Sequence, residues 1–195
     1  MKRFGALLGS VALLALAACG ESNAPLKAIT AADVDGAAII AADRRPDIWI
    51  SHGRTYSEQR YSPLKLISTT NVKDLGLAWA SELDTNRGME STPIVIDGVM
   101  YVTSAWSVVY AYNAKTGERL WKFDPEVDKS RGVSACCDVV NRGVAIWQGK
   151  VFVGTIDGRL IALDTKTGAK KWEQVTVDQS KHIRSPARRV SSRAM

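Results

Sequence analysis

An all-β chain built from stacked four-stranded units is the fold the sequence predicts, and three observations carry that prediction. Residues 91–121 superpose on residues 142–172 without a gap, at a period of 51 residues. Both copies place Gly where a tight turn needs positive φ (Gly98 and Gly149, then Gly117 and Gly168) between runs rich in β-branched and aromatic residues. Each copy also ends on a tryptophan at the same frame position, Trp121 on Trp172. Four short antiparallel strands per ~50-residue repeat are the grammar of a β-propeller blade, whose sheet is too small to hide its own faces and must stack on a neighbour.

The elements follow in order. Met1-Lys2-Arg3, an apolar small-residue run and Leu16-Ala17-Ala18-Cys19 read as an export signal over residues 1–19, too short to persist as a membrane-spanning helix. Residues 20–43 read as a polar, alanine-rich tether, with a short helix over 31–42 started by a Thr30 cap. The propeller blades are expected over 44–178. Within them 75–80 is expected as a buried strand, followed in the first unit by strands at 94–96, 99–103, 108–112 and one bearing Trp121. The second unit repeats them at 144–147, 150–155, 160–163 and the strand bearing Trp172. Trp121 and Trp172 are both expected in the core. Residues 179–195 form a basic tail.

Charge excludes one class of function. The formal net charge is +6, but Lys181, Arg184, Arg188, Arg189 and Arg193 supply five of those charges, so the body is nearly neutral. It lacks a basic face interleaved with aromatics, and nucleic acid is not expected as a partner. The absence of a Cys-x-x-Cys-His motif excludes covalent c-type haem on this chain.

Between the two copies lies Cys136-Cys137-Asp138-Val139-Val140-Asn141-Arg142-Gly143. Adjacent Cα atoms sit roughly 3.8 Å apart across a trans peptide, against about 5.5 Å for a relaxed disulfide, so a bridge here distorts its peptide. Two reduced thiols in a turn are the alternative, and an exported protein's oxidising surroundings favour the bridge.

The pattern Ala-x-(Asn/Asp)-x-x-Thr-Gly-x-x-x-Trp at 111–121 and 162–172, with the Cys-Cys-to-Arg motif between its copies, resembles the quinoprotein methanol/ethanol dehydrogenases. Gln59-Arg60-Tyr61-Ser62-Pro63-Leu64 and Asn71-Val72 fit the entry segment of that family, and Leu16-Ala17-Ala18-Cys19 resembles a bacterial lipobox with Cys19 as the acylated residue. The resemblance implies an eight-bladed propeller, of which this chain offers two to three blades. It implies pyrroloquinoline quinone as cofactor, a Cys136–Cys137 disulfide lying against it, Arg142 pairing with one of its acidic groups and Glu90 hydrogen-bonded to it. Arginine suits that task, because its planar fork meets a carboxylate through two parallel bonds and lysine cannot.

The family's reaction is oxidation of an alcohol, with calcium or a lanthanide as Lewis acid, an aspartate as base and cytochrome c as electron acceptor. The metal ligands and the base are expected beyond the C-terminus, and none is assigned here. The expected location is the periplasm, with membrane attachment only through lipid at Cys19. The competing reading is a non-catalytic propeller lipoprotein that binds other proteins at the outer membrane; it has no use for the Cys-Cys-to-Arg motif. The family resemblance stops near Lys181. One permitted codon choice for 181–190, read two nucleotides later, gives Ala-Tyr-Pro-Phe-Thr-Gly-Ala-Pro-Arg, like the quinone-holding stretch family members carry there. The tail is therefore expected to be an out-of-frame translation, the alternative being a natural basic tail.

Overall fold

The structure, a computed structural model, describes residues 27–135 and 137–178. The signal, Cys19, Cys136 and the basic tail lie outside them. Two four-stranded antiparallel sheets dominate, each in simple meander order. The first comprises β1 (Ile94–Ile96), β2 (Val99–Thr103), β3 (Val109–Asn113) and β4 (Arg119–Phe123). The second comprises β5 (Ala145–Trp147), β6 (Lys150–Gly154), β7 (Arg159–Asp164) and β8 (Lys170–Val175).

Their registers coincide through the repeat. Ile94 faces Tyr101 as Ala145 faces Phe152, and Ala111 faces Trp121 as Ala162 faces Trp172. Even the irregularity between Ala111 and Tyr112 recurs between Ala162 and Leu163. The first hairpin of each unit turns through two residues of positive φ, Asp97-Gly98 and Gln148-Gly149. That twist matches the strands it joins.

The units stack through tryptophan. The Trp121 indole lies on Gly168, where a Cβ would stand only 2.7 Å from the ring, and its Nε1 donates to the Thr165 carbonyl at 3.0 Å. Trp79 repeats the arrangement one unit earlier, lying on Gly117 and donating to the Ala114 carbonyl at 3.2 Å. Around the Trp121 joint, Ile94, Ile96, Tyr101 and Val109 meet Ile146, Val151, Val153 and Ile161 in one buried cluster. Each such aliphatic side chain contributes about 1.5–3 kcal/mol when fully buried, so this core outweighs any polar contact between the sheets.

Three expectations give way to packing. Residues 31–42 do not form one helix. A tight turn at Ala31–Asp33 is followed by extended Val34, then by α1 (Gly36–Ile40) capped by Asp35, whose carboxylate accepts from the Ala38 N–H at 2.8 Å. Val34 is extended because its carbonyl accepts from the Gln148 N–H at 2.9 Å, while that of Ala31 accepts from Gly149. This docks the expected tether onto the β5–β6 turn and buries Val34, Ile39 and Ala42 in the core. Residues 75–80 form no strand, and Leu77 is 85% exposed, since no described strand offers a ladder there. Trp121 is buried at 8%, but Trp172 is 41% exposed and touches Phe152 rather than a further Thr-Gly turn.

The open edge of β1 is capped by Trp49, which exchanges backbone hydrogen bonds with Val95 at 2.7 and 2.8 Å. Buried Arg54 ties the entry segment down by donating to the carbonyls of Ala42, Arg45 and Tyr61. No described helix is long and apolar enough to cross a membrane.

Candidate functional site

The segment that enters β1 and the segment that enters β5 lie side by side. The Thr92 N–H donates to the Arg142 carbonyl at 3.2 Å. Gly143 permits this approach: its φ is 118°, and a Cβ there would stand 2.8 Å from the Thr92 carbonyl oxygen. The juxtaposition places Arg142 against Glu90, with Nη2 to Oε2 at 3.0 Å. Two residues that the family resemblance assigned to one ligand are thus brought together.

Their side chains are 41% and 47% exposed, and a pair so solvated contributes at most ~1 kcal/mol. The Arg142 Nε, by contrast, is buried and has no acceptor among the described residues. Leaving such a donor unmet costs about 1–3 kcal/mol. The guanidinium therefore holds one edge on Glu90, and its exposed part faces solvent beside that carboxylate.

Asn141 builds this corner and was missed from sequence. It is 3% exposed, and its amide uses all four of its positions. Nδ2 donates to the Ser107 hydroxyl and the Gly154 carbonyl, both at 2.9 Å, while Oδ1 accepts from the Thr103 hydroxyl at 3.1 Å and the Gly143 N–H at 3.0 Å. The amide's orientation is forced, because the Gly143 N–H can only donate and the Gly154 carbonyl can only accept. An asparagine between Val140 and Arg142 carries one local hint, the glycine two residues on.

Cys137 is exposed in the same loop, followed by Asp138 with φ 64°. The Val139 backbone N–H and then the Arg87 guanidinium hold the Asp138 carboxyl below the ordinary carboxylate range. Arg87 also lies 5.8 Å from the centre of the Trp106 ring, and the Lys129 ammonium lies 4.2 Å from it. Among the described residues no group of three His, Cys, Asp or Glu side chains is placed to hold a metal.

Two four-stranded units in one register, joined by a tryptophan lying on the glycine of the next unit, are consecutive blades of a β-propeller. The family model described as "Glucose/ethanol/alcohol dehydrogenase, beta-propeller domain" of the PQQ type matches residues 49–182, and the chain belongs to that family. It is similar to quinohemoprotein alcohol dehydrogenase ADH-IIG of Pseudomonas putida, at 59% identity over 79% of this chain and 21% of the relative. The solved structure of that protein superposes with a TM-score of 0.75 over 77% of this chain and 22% of its own. Quinohemoprotein alcohol dehydrogenase of Comamonas testosteroni is 51% identical over 90% of this chain and 24% of the relative. A europium-containing methanol dehydrogenase structure matches at 39% identity and a TM-score of 0.69, over 74% of this chain and 26% of its own. The chain thus spans about a fifth to a quarter of the length of these relatives.

Proposed function

We propose that this chain supplies the N-terminal, quinone-contacting blades of an exported alcohol dehydrogenase. The observation that carries the reading is the Glu90–Arg142 pair, whose side chains are both half-exposed and so within reach of a ligand. A half-exposed guanidinium, held by a carboxylate that takes Nη2, fits a ligand bearing carboxylates, and pyrroloquinoline quinone bears three. Arg142 would hold one of these groups, Glu90 would orient the guanidinium and accept from the ligand, and the Cys136–Cys137 pair, bridged, would lie against its flat face. The chemistry the quinone supplies when bound is two-electron oxidation of an alcohol to an aldehyde or ketone.

The arginine's part is positional: a charge-assisted bond at a fixed place, formed without reorganising the loop that Asn141 holds. A calcium or lanthanide ion, the acceptor cytochrome c and lipid attachment at Cys19 in the periplasm belong to the same proposal. Their support is the family, the europium named for one relative, and the Leu16-Ala17-Ala18-Cys19 ending. The scaffold reading gives the Glu90–Arg142 pair no task, and relatives at 51% and 59% identity are named as dehydrogenases.

Titrating the chain with pyrroloquinoline quinone, followed by quinone fluorescence, tests the proposal. The parent is expected to bind, and Arg142→Lys, which keeps the charge and loses the fork, is expected to bind at least about tenfold more weakly. Equal affinity in parent and variant, or no binding by a folded parent, would overturn it. The bridge is tested separately by intact mass after thiol alkylation without reductant: two alkylated cysteines at 136 and 137 would remove it.

A further inference from the structure

Two consecutive residues just after β2, Trp106 and Ser107, have φ of 61° and 62°. Neither is a residue type that enters this region readily, and such strain persists where surrounding contacts enforce it. Both residues hold the loop over 137–143. The Trp106 N–H donates to the Val139 carbonyl at 2.8 Å, and the Trp106 ring meets Gly132 so closely that a Cβ there would stand 2.9 Å from it. Ser107 is buried, and its hydroxyl accepts from the Asn141 amide at 2.9 Å. Arg87 links the Trp106 ring face to Asp138 of the same loop.

The repeat supplies an internal control. One period later, Ser107 corresponds to Gly158, which takes φ of 82° with no side chain to strain. The second unit closes its turn one residue earlier, from the Gly158 N–H to the Thr155 carbonyl, with positive φ at the glycine alone, where the first closes from the Val108 N–H to the Ala105 carbonyl over two such residues. The first unit instead keeps a serine, and the hydroxyl so retained lies under Asn141.

We propose that Trp106 and Ser107 are positioning residues that template the 137–143 loop and, through Asn141, fix the Arg142 guanidinium beside Glu90. The strained step reaches Arg142 through Val139 and Asn141, the residues it bonds. It rests on the quinone reading only for what the loop is used for.

Hydrogen exchange followed by mass spectrometry on the full chain, without quinone, tests this. Ser107→Gly removes the hydroxyl and relieves the strain at position 107 while Trp106 keeps its positive φ; Ser107→Ala removes the hydroxyl and keeps the strain at both residues. In both, amides of 137–143 are expected to exchange roughly tenfold faster while β2 and β6 stay within about threefold of the parent. Trp106→Phe, which keeps a ring over Gly132 and the backbone donor, is expected to leave the loop within about threefold. Loop exchange unchanged in both Ser107 variants, or sheet exchange rising in step with the loop, would overturn the proposal. That result would leave the quinone reading of Arg142 intact, and failure of quinone to bind would leave the exchange result intact.

Discussion

Substituting alanine for Gly168 should measure how tightly one blade docks on the next. Gly98 is a matched control, since both glycines have φ of 70°. A Cβ on Gly98 meets nothing within 4 Å, whereas on Gly168 it would stand 2.7 Å from two Trp121 ring carbons. Gly98→Ala therefore carries the backbone term alone, roughly 1–2 kcal/mol for a left-handed alanine. Gly168→Ala carries the same term and must push the indole back by about 0.7 Å to reach ordinary van der Waals separation. Overpacking of that order costs about 1–3 kcal/mol, and the shift also stretches the Trp121 Nε1 bond to Thr165.

The expected difference between the variants is thus about 1–3 kcal/mol, a large share of the ~5–15 kcal/mol by which a domain is stable. Urea unfolding followed by tryptophan fluorescence and by circular dichroism reads it as a lower midpoint for Gly168→Ala at equal slope. Equal midpoints for the two variants would refute the view that the indole is seated on the glycine.

Three further outcomes follow from the same structure. Asn141→Ala strands the Gly143 N–H, leaves the Gly154 carbonyl with only the long 3.5 Å bond from the Ser107 hydroxyl, and is expected to destabilise by about 2–4 kcal/mol, read by denaturant midpoint. Trp121→Ala should cost about 3–5 kcal/mol and Trp172→Ala less than about 2 kcal/mol, because the first ring is enclosed and the second is 41% exposed. Burial raises the Asp157 carboxyl, but hydrogen bonds from Arg159 and Thr155 outweigh it and hold the carboxyl below its ordinary range. Its stabilisation is complete above the unfolded-state value of about 4 and is lost as pH falls through the lower folded value. Midpoints measured from about pH 2 to pH 6 should therefore fall less steeply below pH 4 in Asp157→Asn than in the parent.

The blades were legible because their determinants are local. Asp97-Gly98 and Gln148-Gly149 fix hairpins within a few residues, and the Thr-Gly turn and tryptophan recur in one frame, so spacing alone reproduced the strand order. The helix expected over 31–42 was not, because a contact with the β5–β6 turn more than a hundred residues away holds Val34 extended. The strand expected at 75–80 failed for a related reason: apolar character marks a strand only where a partner exists, and Leu77 has none among the described residues. At the site, Glu90 and Arg142 were named through resemblance, since a pair 52 positions apart leaves no local signature. Trp106 and Ser107 left none either; a positive φ at a serine is imposed by neighbours that only the folded chain assembles.

The repeat explains why the site lies where it does. One period carries Glu90-Ser91-Thr92 onto Asn141-Arg142-Gly143, so the two segments that meet at the site occupy equivalent places in successive units. Stacking brings these entry segments together because each precedes the first strand of its sheet, ahead of β1 and β5. No ladder position depends on their side chains, so the frame that forces Gly98 onto Gly149 and Trp121 onto Trp172 leaves these residues free to differ. One entry carries the carboxylate, and the next carries the buried amide and the guanidinium. The same freedom separates Ser107 from Gly158 at the strained turn. Identity across the period marks what stacks the blades, and difference across it, at places that stacking brings into contact, marks what the stacked blades can bind.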